Sequence, residues 1–444
     1  MQNSNSISLD TPVQCIKRLL LSSTFNTKQT NALYREILHY ISQLSASEYS
    51  EIIDLAKNRY KLRTAPLLLA IVALKENKLE NPKETLKGLL TNAKLLTTSL
   101  DIYQNINGHV KPLAAPLKKA LSEKLTELNT YDLIKGNVPV NSFKLSDVIK
   151  LTHPKPVDEA YSTLFNQILN NGTPSLDNWE TVISGCKTNI ERQMQWERLL
   201  LDKKINNLSL IRNLNNLINS GVNTAIIKQA ILDINLTKVN LYQLLNATIN
   251  LNNHQLLTYI QELINTKTNL VLKDKSLVLI DVSGSMSSGA NSSTTRLQVA
   301  TMLAYFIGRV SEDSSIVFTA GNDSRNTVNN QLYIKDIKNV SYLDFVADVQ
   351  YAYERLGYGG IFTRQALEWC KENVQDTFER TIVISDSVDC DHYNATSVPF
   401  TKYSYLLDIS RSSGNIIYNT NWTAEIRGWS DELPNFIKEY ETDY

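Results

Sequence analysis

The sequence predicts two architectures in series, an all-α region over residues 1–272 and an α/β region over 273–444. Three observations carry this. Six of the 15 glycines fall in the first 272 residues and nine in the last 172, whereas the prolines divide nine against two. Apolar residues recur at helical spacing along the first region. Beyond about Lys273, short runs of branched apolar residues alternate with helical stretches, as βαβ units and a parallel sheet covered on both faces require. A chain of 444 residues has room for about two to four domains with real cores. At 42% hydrophobic and 20% charged it is no disordered, collagen-like or disulfide-framework chain.

In the first region, Pro66, Pro82, Pro112, Pro116, Pro139, Pro154, Pro156 and Pro174 punctuate leucine-rich stretches, as short turns between helices would. Apolar stripes mark helices at Ile52–Lys57, Leu67–Leu74, Leu117–Leu128 and Tyr161–Leu169. From Asn207 to Gly221, Leu210, Ile211, Leu214, Leu217 and Ile218 form one face, and Gly221 sits where a helix end favours a left-handed residue. No alternating strand pattern interrupts the series, and no fixed repeat period is evident.

In the second region, Ser276–Ile280 (SLVLI) reads as a buried strand ending at Asp281. A helix follows at Gln298–Val310, then a strand at Ser315–Thr319, a helix at Thr363–Val374 and a strand at Thr381–Ser385. Tyr405–Ile409 and Asn415–Tyr418 read as further strands, and Glu432–Tyr440 as a closing helix.

The chain is neutral overall, with 45 Lys+Arg against 45 Asp+Glu, but the halves differ. Residues 1–272 carry 30 basic against 22 acidic side chains, and residues 273–444 carry 15 against 23. The first half suits polyanions and the second cations. Cys15, Cys186, Cys370 and Cys390 lie far apart without CxxC spacing, so reduced thiols are expected and zinc is not. Met1–Val13 has no signal-peptide pattern, and the longest apolar stretch, Ala65–Leu74, is too short to span a bilayer. A cytoplasmic protein is expected.

The sharpest local signal is Asp281-Val282-Ser283-Gly284-Ser285, directly after the SLVLI strand. Ligand sites of open α/β sheets lie beyond the carboxyl ends of strands, where this loop falls. One carboxylate and two hydroxyls at alternate positions are hard oxygen ligands suited to Mg²⁺. Asp386, ending the TIVIS strand, adds a second carboxylate, and Gly359-Gly360-Ile361-Phe362-Thr363 offers a flexible turn with a further hydroxyl. Taken alone, D-x-S-x-S is weak, because serines and aspartates fill loops for capping and turn reasons. An aspartyl-phosphate enzyme would use D-x-D, but position 283 is Ser. No phosphate loop or nucleophile elbow occurs, and no His base lies near Ser283 or Ser285 in sequence.

This stretch resembles a von Willebrand factor type A domain, in which D-x-S-x-S, a Thr and an Asp on three loops form a metal-ion-dependent adhesion site (MIDAS). The resemblance assigns a divalent metal, Mg²⁺ above all, to Asp281, Ser283, Ser285, Thr363 and Asp386. The second loop departs from the family's Gly-Gly-Thr, since Ile361 follows the glycines, and Thr363, two residues later, either takes its place or only caps the following helix. In such domains an open coordination position on the metal takes a partner's acidic side chain.

From Lys57 to Lys155 there are 17 basic against 8 acidic residues. The clusters are Arg59, Lys61 and Arg63; Lys111, Lys118, Lys119 and Lys124; and Lys135, Lys144, Lys150, His153 and Lys155. Such helical surfaces bind phosphate backbones by releasing counterions. The plainer reading is solvated faces with local pairs such as Lys119–Glu123 or Lys124–Glu127, each contributing ~0.3–0.5 kcal/mol, and a His153 that holds a turn.

The segment Lys144-Leu-Ser-Asp-Val-Ile-Lys-Leu-Thr-His-Pro-Lys-Pro156 resembles the D-x-x-R-L-x-H-x-K-P segment of the TROVE module of Ro autoantigen proteins. Asp147, Lys150, Leu151, His153, Lys155 and Pro156 fall on it, with Lys150 in place of Arg. Trp179-Glu180, Trp196-Glu197-Arg198 and Ile211-Arg212-Asn213-Leu214 resemble the module's twin Trp-Glu turns and its Leu-Leu-Arg-Asn-Leu helix. Leu117–Leu121 resembles its basic helix, and Arg18–Phe25 its opening segment. The family's Gly-Trp-Ser-His before the Asp is replaced by residues including Phe143 and Leu145, which removes a His from polar contact with RNA.

A TROVE-like region over about 15–270 followed by a von Willebrand A domain is the Ro order. The resemblance implies HEAT-like helical repeats in a ring, RNA binding without catalysis, and a monomer. Small structured Y-like RNA would lie on the outer basic surface, and single-stranded ends of misfolded non-coding RNA in a central hole. The basic clusters named above supply the expected RNA contacts: Arg59, Lys61, Arg63, Lys111, Lys118, Lys119, Lys135, Lys144, Lys150, His153 and Lys155. An exoribonuclease or another protein would dock at the metal site. The rival reading is a metal-dependent protein adaptor whose helices are only scaffold. A divalent-dependent nuclease would need more clustered carboxylates than Asp281 and Asp386.

Overall fold

The structure is a computed structural model that describes residues 11–22, 38–137, 143–170, 179–249, 251, 253–290, 294–321, 332–334, 336–356, 359–390, 399–410, 422–427 and 429–442. Helices come first: α1 (Pro12–Ser22), α2 (Ala46–Asp54), α3 (Ala65–Lys75), α4 (Pro82–Leu89), α5 (Ala93–Asn107), α6 (Ala115–Glu127), α7 (Thr130–Lys135), α8 (Leu145–Thr152) and α9 (Glu159–Leu169). They continue with α10 (Trp179–Gly185), α11 (Asn189–Leu201), α12 (Asn207–Arg212), α13 (Leu214–Asn219), α14 (Thr224–Leu232), α15 (Leu241–Ile249) and α16 (His254–Lys267). The sheet region holds β1 (Leu272–Asp281), α17 (Arg296–Val310), β2 (Ser311–Thr319), β3 (Leu332–Ile334), α18 (Tyr342–Arg355), α19 (Thr363–Asn373), β4 (Arg380–Ser385), β5 (Tyr403–Asp408), β6 (Ala424–Arg427) and α20 (Leu433–Thr442).

The described residues divide into two compact units, one holding those from 11 to 20 and from 38 to 182, the other those from 183 onward together with Leu21 and Ser22. In the first, α3 packs against α2, α4 and α5, α6 packs against α4 and α8, and α8 against α5 and α9, the neighbour-on-neighbour packing of stacked helical repeats. Ala65 to Ala73 of α3 are all buried, which is why this helix is apolar on every side. Pro66, Pro82 and Pro116 stand in the first turns of α3, α4 and α6, where a missing N–H costs no helix bond.

In the second unit, the change from helix to strand comes at Leu272, but the compact unit begins about 90 residues earlier. The reason is packing. Helix α15 lies against α17 and α18. Leu241 donates its N–H to Asp431 at 2.7 Å, Tyr242 bonds Thr294 at 3.1 Å, and Gln261 bonds both the Tyr305 hydroxyl and the Tyr342 N–H at 3.1 Å. The single helix expected from Asn207 to Gly221 is broken at Asn213, whose side-chain amide bonds the Ser209 carbonyl at 2.8 Å. Gly221 has φ +76°, the left-handed conformation expected there.

The sheet order is β3-β2-β1-β4-β5-β6, parallel except for the antiparallel edge strand β3. Alternate residues serve opposite faces. Leu277, Leu279, Val317, Val383 and Leu406 pack with Ala366, Leu367 and Cys370 of α19, leaving Val278, Ile280, Ile316 and Phe318 to the face that α17 covers. Each such buried side chain contributes about 1.5–3 kcal/mol. The strands expected at 276–280, 315–319, 381–385 and 405–409 and the three helices are found, with β1 and β2 each beginning four residues early and β5 two. The strand expected at 415–418 lies outside the described residues. β3 and β6 carry no pattern strong enough to be read beforehand, whereas α18, absent from the elements expected above, carries Tyr342, Phe345, Val349 and Ala352 at helical spacing behind a Ser341 cap. No helix among the described residues is long and apolar enough to cross a membrane.

Candidate functional site

Strand β1 has β2 on one side and β4 on the other, so its carboxyl end opens at the point where the winding of the sheet reverses. Asp281 ends β1 there, and Asp386 follows the last residue of β4. Both are fully buried. The Asp281 carboxylate accepts the Ser283 N–H at 2.8 Å through Oδ1 and the Ser385 hydroxyl at 2.6 Å through Oδ2. Burial pushes this carboxyl up to about 7 against those hydrogen bonds, and the nearby Asp386 pushes in the same direction.

The Ser283 and Ser285 hydroxyls are 3.2 Å apart, and the Gly284 N–H donates to the Gly359 carbonyl at 3.0 Å, which joins the first loop to the second. The glycine turn is more tightly packed than a flexible turn. A side chain at Gly360 would run into Cys390 Sγ, and Cys390 N–H bonds the Ile361 carbonyl at 2.8 Å. Ile361, at the usual Thr position, is buried in the core.

Thr363 is buried too, but its hydroxyl does not cap α19. Asp389 accepts the Thr363 N–H at 3.3 Å, and Thr363 Oγ1 is buried with no hydrogen-bond partner. Asp386 accepts the Val388 N–H at 3.3 Å through Oδ1, while Oδ2 receives the Arg296 guanidinium. Ser387 beside it has φ +61°, a strained backbone for a non-glycine residue. Arg296 was not among the residues that the motif pointed to. Two carboxylates and three hydroxyls thus surround the switch point, and no group of three or more His, Cys, Asp or Glu side chains capable of holding a metal occurs among the described residues.

The basic residues sit in the other unit. In α6, Leu117, Ala120, Leu121 and Leu125 are buried, which turns Lys118 and Lys119 outward. The acidic residues of that helix are engaged elsewhere. Glu123 pairs with Lys83 and Lys87 of α4, both at 2.9 Å, instead of with Lys119, and Glu127 pairs with Lys87 and, at 3.0 Å, with Lys124. Lys118 and Lys119 make no ion pair among the described residues.

Helix α8 packs against α6, and Leu145, Val148 and Ile149 bury its inner face. Lys144, Lys150, His153 and Lys155 are exposed along and just beyond it. Asp147 caps the helix by accepting the Lys144 N–H at 2.8 Å. His153 ends it in a left-handed conformation, its N–H bonding the Ile149 carbonyl at 2.9 Å, directly before Pro154. Phe143 and Leu145 are core residues.

The other candidates are dispersed. Lys111 and Arg63 are exposed, Arg59 is half-buried at the end of a π-helical turn (Leu55–Arg59), and Lys61 has φ 52°. Lys135 lies over the Tyr131 ring and 3.6 Å from Glu180.

The entire course of the chain, helices first and then the six-stranded sheet, matches the crystal structure of the Deinococcus radiodurans RO (RSR) protein with a TM-score of 0.59. The chain has the Ro fold. The match covers 97% of this chain and 99% of that one at 13% sequence identity, so the likeness to Ro is one of architecture. No family model matches the sequence, and no curated protein matches it. The expected order of a helical region followed by an α/β region is the order found.

Proposed function

We propose that this chain is an RNA-binding, Ro-like ribonucleoprotein component that acts by binding and not by turnover. The observation that carries the reading is the state of α6 and α8. Glu123 and Glu127 are held by Lys83, Lys87 and Lys124, so Lys118 and Lys119 are exposed beside a packed neighbour bearing Lys144, Lys150 and Lys155. These side chains neutralise backbone phosphates of a small structured, Y-like RNA or of the single-stranded end of a misfolded non-coding RNA. His153 stops α8 and presents an exposed imidazole to the same strand. Crosslinking and sequencing of bound RNA tests this on the wild type beside K118E/K119E. A small structured RNA recovered with the wild type and lost from the variant is the expected result. A wild type free of RNA overturns the reading.

A second reading, for the other unit, is a docking site that needs a divalent metal. The buried Thr363 Oγ1 without a hydrogen-bond partner favours it, and the Ser283 and Ser285 hydroxyls complete a hard-oxygen donor set suited to Mg²⁺. Asp281, Ser283, Ser285, Thr363 and Asp386 would hold the ion, the two carboxylates supplying its negative charge. The bound ion would supply an open coordination position for a partner's carboxylate, such as that of an exoribonuclease. Asp281 orients the loop by accepting the Ser283 N–H, and Ser385 fixes Asp281 from β4. Magnesium-dependent capture of a protein that survives RNase, and is lost with S283A/S285A, is the expected result.

A further inference from the structure

Arg296 is an unusual residue for its place. It opens α17 directly after the Thr295 cap, where free backbone N–H groups give the helix end a partial positive charge and disfavour a cation. Its guanidinium nevertheless turns inward. Nη1 pairs with Asp386 Oδ2, Arg296 is 17% exposed against 0% for Asp386, and Arg296 Nε is buried with no hydrogen-bond partner. A positive partner offsets the cost of burying a carboxylate so deeply. Oδ1 of Asp386 accepts only the Val388 N–H at 3.3 Å, while Arg296 occupies Oδ2 and places its positive charge against the carboxylate.

The arginine is also tied to the loop that carries the hydroxyls. Its N–H bonds the Ser288 carbonyl at 2.9 Å, and Ala290 N–H bonds the Thr294 carbonyl at 2.9 Å, folding the segment after Ser285 back onto the start of α17.

We propose that Arg296 is a built-in counter-ion of this site, one that a divalent cation must displace from Asp386 and that therefore sets the metal affinity. The inference rests on the metal reading above. The charge arithmetic gives its direction. Asp281 and Asp386 as carboxylates would balance a divalent ion, but with Arg296 in place the ion adds to a cluster already half neutralised. Removing one positive charge at such short range strengthens cation binding by about tenfold or more. The same pairing stabilises the buried carboxylate when no metal is bound.

Mn²⁺ binding followed by electron paramagnetic resonance on the full chain tests this, with wild type, R296Q and S283A/S285A. Binding at least about tenfold tighter in R296Q than in wild type, with both forms losing it when the two serines are replaced, is the expected result. Equal or weaker binding in R296Q overturns the role of Arg296 and leaves the metal reading standing. No Mn²⁺ binding in either wild type or R296Q overturns both. A measurement on the wild type does not depend on how R296Q folds. The Arg296 Nε–Hε resonance, assigned by its loss in R296K, moves on adding Mg²⁺ to the position of a solvent-exposed arginine if the guanidinium is displaced. A resonance unmoved at saturating Mg²⁺ overturns the proposal.

Discussion

Arg380 and Glu441 meet in a bidentate ion pair, Nε to Oε1 and Nη2 to Oε2, both at 2.7 Å, with 2% and 10% of their side chains exposed. Arg380 also reaches Ser276 Oγ on β1 at 3.0 Å, and Glu441 accepts the Tyr405 hydroxyl at 3.2 Å. The last helix is thereby held to β1, β4 and β5. Removing one partner leaves a buried charge unpaired, so E441A lowers unfolding stability by about 3–5 kcal/mol in urea titrations of tryptophan fluorescence. The apolar double variant R380M/E441L recovers most of that loss, because no orphan charge remains. A double variant as unstable as E441A shows that packing, not charge, holds the helix.

RNA affinity falls steeply with salt if Lys118 and Lys119 each neutralise a phosphate. Each contact contributes ~0.9 to the slope of log affinity against log salt on duplex RNA, by analogy with B-DNA, and ~0.7 on single strands. K118E/K119E therefore flattens the slope by about 1.8 or 1.4 and weakens every RNA to a similar degree. Filter binding across a salt series reads both quantities. A variant with unchanged slope removes α6 from the interface.

Much of this was legible in the sequence. SLVLI and TIVIS reveal buried strands because parallel strands covered on both faces are continuously apolar, and Asp281 and Asp386 stand out by ending them. The three-residue edge strand β3 and the short β6 lack such runs. Where the compact units divide is invisible for a different reason. It depends on α15 packing against α17 and α18, and nothing local marks that partner. The same holds for Arg296, whose carboxylate lies 90 residues away. Thr363 was visible as a hydroxyl, but only the structure shows that Asp389 takes over the capping and leaves Oγ1 unpartnered.

Buried tyrosines weaken the fold at alkaline pH. Burial pushes the Tyr49 phenol up to about 12, and burial together with Glu441 raises that of Tyr405. Tyr342 is raised by burial as well. The unfolded chain ionises its tyrosines near pH 10, whereas these three stay neutral in the folded state. Their contribution to stability is therefore complete below about pH 10 and is lost as pH rises above it. Urea midpoints that fall from about pH 10 upward, with phenolate absorbance rising in two phases, are the expected result. Midpoints flat from pH 9 to 12 contradict it.

The thiols differ in the same physical terms. Cys370 lies in the core between α19 and the sheet, where burial pushes its pKa up to about 12, so little thiolate exists near neutrality and access is closed. Cys390 is exposed beside the Gly360 turn. Alkylation by iodoacetamide at pH 8, followed peptide by peptide, modifies Cys390 while Cys370 remains unreacted until urea unfolds the sheet. Because Cys390 packs on Gly360, a G360A substitution must push its side chain away and disturb the second loop of the metal site, so the rate at Cys390 rises in that variant. Equal rates in G360A and wild type show that the turn yields without moving Cys390.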